Sequence, residues 1–408
     1  VLDKAIYGLH QSGKLWSAML TRELEELGFS AGKNGDMCSF IRHSRSGDSI
    51  NLAVFVDDII YMYKNDDEEE MEEIKSKLMS KLKIKDLGEA KTLLGMRIRR
   101  DRTARTIELD QEQYIKQSCV LLNINNLKPM PTPENIAASR RSLTQHFNDD
   151  SSSSDIEEGS SDSDDDDEND IVSGRSKINI SNYRSALGML GYAALTTRID
   201  VAHAYSMCAR QQQSPTKADV LALSHAWRYL LGTASLTLRY SNDSTGTQLI
   251  AYSDADWAGD SSDARSTTGI LLKLGGAAVA WSSTKQSSVS LSSSEAEYIA
   301  ASETAREVVA MRIQLAELGL AQPDPTPLRI DNETAIRMAL EEGNHGRRKH
   351  INVKHHYIRE LVTDGLVVLE WVPTTEQEAD LLTKATARTQ FFNMRDEVLG
   401  HSHTHSLT

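Results

Sequence analysis

The sequence is poor in cysteine. Cys38, Cys119 and Cys208 are widely spaced and form no CxxC pair, which excludes a disulfide framework and a thiolate zinc site and fits a reducing intracellular setting. No apolar run approaches the length that crosses a bilayer, and the first residues carry no signal-peptide pattern, so a soluble chain without a membrane partner is expected. An initiator methionine is missing as well. The chain opens at Val1, in what reads as the middle of a structured element, and a fragment of a longer polyprotein is expected.

The formal net charge of −14 argues against a nucleic-acid partner only until it is located. Residues 149–170, DDSSSSDIEEGSSDSDDDDEND, hold 12 acids and no base; without them 47 acids face 45 bases, a balance of −2. Low hydrophobicity, serine and like-charge repulsion make this insert a disordered linker that marks a boundary, and its plainest role is a solvated spacer. Basic residues cluster elsewhere. GMRIRRDRTAR carries Arg97, Arg99, Arg100, Arg102 and Arg105 on an expected hairpin, and GRRKHINVKHHYIRE carries Arg347, Arg348, Lys349, Lys354 and Arg359. Such runs suit a phosphate backbone, although a basic run is more often only a wet surface.

With 408 residues the chain can hold two or three cores. Helical spacing marks QSGKLWSAMLTRELEELGF, stopped by Gly28, and EEEMEEIKSKLMSKLKI, whose acids lead and lysines trail as the helix dipole favours. A second hairpin follows at about 91–110, then a helix over about 111–122, and Pro129, Pro131 and Pro133 close the block. Beyond the insert, residues 179–231 read as mostly helical, a bundle with no cluster of catalytic residue types. From about 236 to 398 the pattern is of strands in series (LTLRY, QLIAYSDADWAG, STTGILLKLGGAAVAWSSTKQ), then alternating helices and strands, which implies a mixed sheet with helices packed on it. Ser294 with Glu297 reads as a capping box at the start of the long helix, and a last helix is expected from near Glu376.

NLAVFVDDIIYMYK sets Asp57 and Asp58 between two strand-like runs. Asp is an ordinary turn residue, so a solvated hairpin tip explains the pair; two carboxylates holding a divalent cation is the rival reading. Acids then recur at element ends: Asp254 within an apolar strand, Glu297 on the first turn of a helix, Asp331 at a strand end and Asp380 on the first turn of the expected last helix. Each alone is a cap or turn residue. Together, on one sheet edge, four such charges would repel by several kcal/mol unless a cation neutralised them, and two metal ions about 4 Å apart drive in-line attack of water on a phosphodiester.

The motifs AYSDADWAGD, SSSEAEYIAA, RIDNETAI and WVPTTEQEADLLTK resemble the ribonuclease H domain of Ty1/copia-type retrotransposon Pol polyproteins. LAVFVDDIIYM resembles the Asp-Asp hairpin in the palm of the reverse transcriptase that precedes it, IYGLHQSGKLW and DLGEAKTLLGMRI its flanks, and YRSALGMLGYAALTTRID onward its thumb-like helices. The resemblance covers nearly the whole chain except the insert and the last ten residues. It implies an α+β, mixed α/β architecture: the C-terminal part of a palm at 1–110, a first thumb-like part at 111–146, the disordered insert at 147–178, connecting helices at 179–235, a ribonuclease H-like domain at 236–398 and a disordered tail at 399–408.

The resemblance further implies two-metal hydrolysis of the RNA strand of an RNA·DNA hybrid, with Asp254, Glu297, Asp331 and Asp380 holding two Mg²⁺, or Mn²⁺, and Asp57 and Asp58 serving a polymerase site. Gln11, Arg97, Arg99, Arg347, Arg348, Lys349 and His350 are the implied nucleic-acid contacts; the partners are hybrid, template-primer and other Pol segments, in a cytoplasmic virus-like particle and the nucleus. There are departures. His10 and Gly13 stand where Lys and Pro are usual in the family, and no His lies between Trp371 and Asp380 to match the catalytic-loop histidine of other ribonucleases H, leaving His350, His355 and His356 as substitutes. Glu295 competes with Glu297 for the helix carboxylate; the family pattern of EYIAA favours Glu297. A catalytically inactive nucleic-acid-binding or structural relic, and an integrase- or resolvase-like enzyme on the same sheet, remain alternative readings. The resemblance asks for a third palm aspartate upstream of Val1, so the purified 408-residue chain is expected to give no primer extension; detectable extension would refute this.

Overall fold

A computed structural model describes residues 11–32, 38–135, 179–241, 246–260, 263–340 and 357–401. The expected insert and the basic run at 347–356, with its arginines, lysines and histidines, lie outside the described residues, as does His10. The chain divides into two units, residues 1–90 with 309–323 and residues 91–308 with 324–408.

In the first unit, helix α1 (Ser12–Glu26) begins at Gln11, which is exposed at its N-terminal cap, and buries Leu20 and Leu24 on the face that Trp16 shares. Gly28, at a φ of +86°, ends it in a conformation that disfavours other residues. Strands β1 (Ser30–Ala31), β2 (Ser39–His43), β3 (Ser49–Phe55) and β4 (Asp58–Met62) form an antiparallel sheet in that order. Helix α2 (Glu68–Lys81) buries Met71, Ile74 and Leu78 against Phe40, Ile50 and Leu52 of the sheet.

The second unit opens with β5 (Thr92–Leu93), β6 (Met96–Asp101) and β7 (Thr106–Asp110), which join β8 (Leu238–Ser241) in one antiparallel sheet. LTLRY therefore pairs with the hairpin at 91–110 rather than with the strands that follow it. Sequence periodicity shows that a segment is a strand but not which edge accepts it. Helices α3 (Glu112–Leu121), α4 (Ile180–Thr196), α5 (Ala202–Arg210) and α6 (Lys217–Gly232) supply Ile115, Tyr183, Leu190, Cys208, Trp227 and Leu230 to one core that also holds Tyr252, Leu271, Ala379 and Phe391.

Within that core Arg198 and Asp200 are both almost fully buried and pair in bidentate fashion, at 2.9 and 2.7 Å. The remaining donors of Arg198 go to the carbonyl and hydroxyl of Thr233, and the Tyr229 hydroxyl donates to Asp200. Next to them Thr196 and Thr197 both donate to Oε1 of buried Gln111, tying the end of α4 to the start of α3.

The last sheet has the order β11 (Ala277–Lys285), β10 (Thr267–Leu274), β9 (Ile250–Asp256), β12 (Thr326–Ile330), β13 (Val367–Trp371). β11, β10 and β9 are antiparallel neighbours, whereas β9, β12 and β13 run parallel. A mixed sheet with helices packed on it is what the sequence pattern implied for this region. Helices α7 (Ser293–Glu317), α8 (Glu333–Leu340) and α9 (Arg388–Val398) accompany it, with a helical stretch at 357–363.

The expected start of the last helix differs. The segment from Thr374 to Leu382 forms two 3-10 turns, Thr374–Glu376 and Glu378–Leu382, and α9 begins only at Arg388. At the start of the expected tail Leu399 is buried and its carbonyl accepts the Arg239 N–H, while residues 402–408 lie outside the described residues.

Removing one partner of a buried ion pair strands the other charge, so Arg198→Met is expected to cost about 3–5 kcal/mol in urea unfolding followed by tryptophan fluorescence. A loss below about 1 kcal/mol, the range of an exposed pair, would show that the network is dispensable.

Candidate metal centre

Strand β9 is buried along most of its length, and it puts Asp254 at its carboxyl end at only 2% exposure. The parallel register pairs Arg329 of β12 with Tyr252 of β9. Two residues further along both strands come Asp331 and Asp254, abreast and on the same face, because side chains repeat every second residue. Below them the Arg329 guanidinium donates to the Tyr252 hydroxyl at 2.6 Å.

Glu297 arrives from α7, where Ala296 and Ala300 pack against Ala255 of β9; three small side chains let the helix approach the strand closely. The helix start differs from the sequence reading. Ser292 Oγ accepts the Glu295 N–H at 3.2 Å and the Glu295 carboxylate accepts the Leu291 N–H at 2.9 Å, so the cap lies two residues earlier than a Ser294–Glu297 box. Glu295 is occupied at the cap, and Glu297 is the one that reaches the cluster. One carboxylate oxygen each from Asp254, Glu297 and Asp331 lies within 4.8 Å of the others.

Asp380 comes from the second 3-10 turn, which lies across β10 opposite Asp254. Gly269 is the register partner of Asp254, and a Cβ there would stand 2.7 Å from Thr383 Cγ2 and 2.8 Å from the Ala379 carbonyl oxygen. Only glycine allows this approach. Gln377 donates to the Ser253 carbonyl at 3.0 Å, and the buried Lys273 ammonium holds the Glu378 carboxylate at 2.6 Å, so the turn is pinned from two sides. Thr383 then donates its hydroxyl to Asp254 Oδ2, and Thr374 donates to Asp331 Oδ2 at 2.9 Å. The Lys384 ammonium lies 2.8 Å from Asp380 Oδ1 and 3.9 Å from Asp254 Oδ2.

Burial, reinforced by the Asp254 and Asp331 charges, raises the Glu297 pKa far above the usual carboxylate range, and burial with the Asp254 charge raises that of Asp380. Asp331 is raised for the same reasons, burial first. Oxygens Glu297 Oε2 and Asp380 Oδ2 are buried and accept no hydrogen bond among the described residues. Bare, crowded carboxylate oxygens are the donor set that a hard divalent cation takes, so these residues fit such an ion.

The other sequence candidates are placed differently. Asp57 and Asp58 are exposed at the β3–β4 hairpin, and among the described residues no third acid groups with them. The turn between them and Phe55 is held open to strain: Val56 has a φ of +54°, costly for a β-branched residue, and Trp16 Nε1 donates to its carbonyl at 2.8 Å. Arg97 pairs with Asp110 and Glu112, and Arg99 with Glu108 and Asp110, so neighbouring acids already compensate both charges. Gly269, Thr374, Gln377, Thr383 and Lys384 were missed. ADLLTK contained the signal for the last two, since Thr383 and Lys384 follow Asp380 by three and four residues, one turn on.

Residues 1–135 match the reverse transcriptase (RNA-dependent DNA polymerase) family. The chain is 33% identical over 98% of its length to a retrovirus-related Pol polyprotein from transposon TNT 1-94 of Nicotiana tabacum, and 31% identical over 97% to that from transposon RE1 of Arabidopsis thaliana. The chain belongs to the Ty1/copia-type retrotransposon Pol polyprotein family. It spans 28% and 25% of the length of those two relatives. A solved structure of LC11 ribonuclease H1 aligns with 34% of this Pol chain and 93% of its own at 18% identity and a TM-score of 0.27, a likeness too faint to bear on function.

The raised pKa values of Glu297 and Asp380 have a consequence for stability. Because the folded values lie above the unfolded ones, folding favours the protonated acids, and stability falls as pH rises from the ordinary carboxylate range through neutrality. The Asp254→Asn chain, with the central charge removed, is expected to melt higher than the unaltered chain in EDTA, by a margin that grows from pH 6 to pH 8. Mg²⁺ is expected to close that gap; a gap independent of pH would count against the cluster.

Proposed function

We propose that the carboxylate centre of this Pol chain hydrolyses the RNA strand of RNA·DNA hybrids. The observation that carries this reading is the convergence of Asp254, Glu297 and Asp331 within 4.8 Å, with Asp380 on the turn packed against β10 and linked to Asp254 through Lys384. Asp254, Glu297, Asp331 and Asp380 would hold Mg²⁺, or Mn²⁺. Such ions, when bound, supply an activated water and stabilise the leaving 3′ oxygen of a phosphodiester.

The chain's own residues hold the geometry. Thr374 fixes Asp331, Thr383 fixes Asp254, and Lys384 holds Asp380 without metal. Thr374 and Gln377 come from the segment between Trp371 and Asp380 where a catalytic-loop histidine is lacking, Thr383 follows it by one turn, and positioning of carboxylates rather than a titrating imidazole is the role we assign to them. Recognition would rest on backbone and 2′-hydroxyl contacts, with weak sequence preference. In the first unit we assign Asp57 and Asp58 to the metal-binding turn of the reverse transcriptase, with Gln11 near the template-primer. That site would depend on other segments of the Pol polyprotein.

Cleavage of an RNA·DNA hybrid, duplex RNA and duplex DNA by the purified chain tests the proposal. Hybrid alone should be cut, and Asp254→Asn or Glu297→Gln should lower the rate by more than about 100-fold, since even residues that support metal ligands are worth 10–100-fold. Glu295→Gln should retain most activity, because its role is a cap. Cutting of duplex DNA in preference would favour the integrase-like alternative, and no cutting the inactive relic.

A further inference from the structure

The carboxylates of the centre are not equally free. Asp254, Glu297 and Asp331 face one another without an ammonium or guanidinium at ion-pair distance from Glu297 or Asp331 among the described residues, whereas the Asp380 side of Asp254 is filled by Lys384. Its ammonium touches Asp380 at 2.8 Å and approaches Asp254 at 3.9 Å. The two acids it joins are 0% and 2% exposed, so this contact lacks the water screening that makes surface pairs weak. Its own side chain is 38% exposed, which leaves it a path outward.

We propose that Lys384 is a built-in cation of the centre, standing where a second divalent ion would sit and making the two ions load in order: the Asp254–Glu297–Asp331 site first, the Asp254–Asp380 site only when Lys384 swings away. The inference rests on the reading of the cluster as a metal centre. Formal charge supports it. With all four acids ionised, as metal binding requires, four carboxylates and one ammonium sum to −3, a strong attraction for one divalent ion. With that ion bound the sum is −1, and a second would leave +1 if Lys384 stayed and 0 if it left. Thr383 strengthens the placement, because its hydroxyl holds the same Asp254 oxygen that Lys384 approaches, so backbone position and ammonium position are set together. Lys384 is thus a positioning residue for the metal-free centre and a competitor of the second ion.

Mn²⁺ binding to the full chain, followed by electron paramagnetic resonance, tests this without any cleavage reaction. The Asp254→Asn chain serves as background, because it retains the acidic insert and every exposed acid. In the difference isotherm the unaltered chain is expected to bind one ion tightly and a second at least about ten-fold more weakly, the effect of losing one partly buried ion pair. Lys384→Met and Lys384→Gln should both strengthen the second ion by about that factor, and Lys384→Arg should restore the weak second site. A second ion of unchanged affinity in both neutral variants, or one still absent there, overturns the proposal while leaving the metal centre intact. No Mn²⁺ bound in excess of the Asp254→Asn background would instead sink the metal centre itself.

Discussion

The centre depends on one close approach: the 3-10 turn Glu378–Leu382 lies against β10 because position 269 has no Cβ. Everything about Asp380 follows from it. A side chain at 269 would collide with the Ala379 carbonyl and with Thr383, lifting the turn that carries Asp380 and the two residues that steady it. The approach brings like charges together out of water, which opposes it. What offsets the repulsion is local: the Thr383 hydroxyl on Asp254, Lys384 between Asp254 and Asp380, and the buried Lys273–Glu378 pair that anchors the turn.

The turn is also backed from the helical side of the same core. Ala379 and Leu382 join Tyr229, Phe391 and Leu399 in one apolar cluster, and the rings of Tyr229 and Phe391 meet edge to face at 5.6 Å. Tyr229 donates to Asp200, which Arg198 holds. The buried Arg198 network therefore sits directly behind the helix pair that supports the Asp380 turn. The region read from sequence as a packing bundle without catalytic residues does serve packing, and its polar centre is structural.

Much of this is legible in the sequence. Helical spacing placed α1, α2 and α3, and β-branched runs placed the hairpins, because burying one face imposes a period on the chain. The four acids of the second unit stand out by their recurrence at element ends, Asp254 and Asp331 on strands and Glu297 and Asp380 on expected helix starts, since each alone reads as a cap or turn residue. The misplacements share a cause. LTLRY was read with its neighbours in sequence, but β8 took an edge offered by β7, far away in sequence. The cap of α7 sat two residues early, since a run of serines offers several caps and only packing chooses among them. Arg97 and Arg99, two of the implied nucleic-acid contacts, have acids set opposite them by cross-strand pairing, which no one-strand pattern shows.

By itself the sequence determined which segments become helix and strand and which acids are candidates for a cation, because periodicity and residue chemistry are local properties. Only the tertiary structure decided that Glu297 rather than Glu295 enters the cluster, that Gly269 opens the way for Asp380, and that Lys384 stands between two of the acids. Those outcomes turn on distances between residues up to more than a hundred positions apart, which strand register and side-chain volume set and no local pattern records.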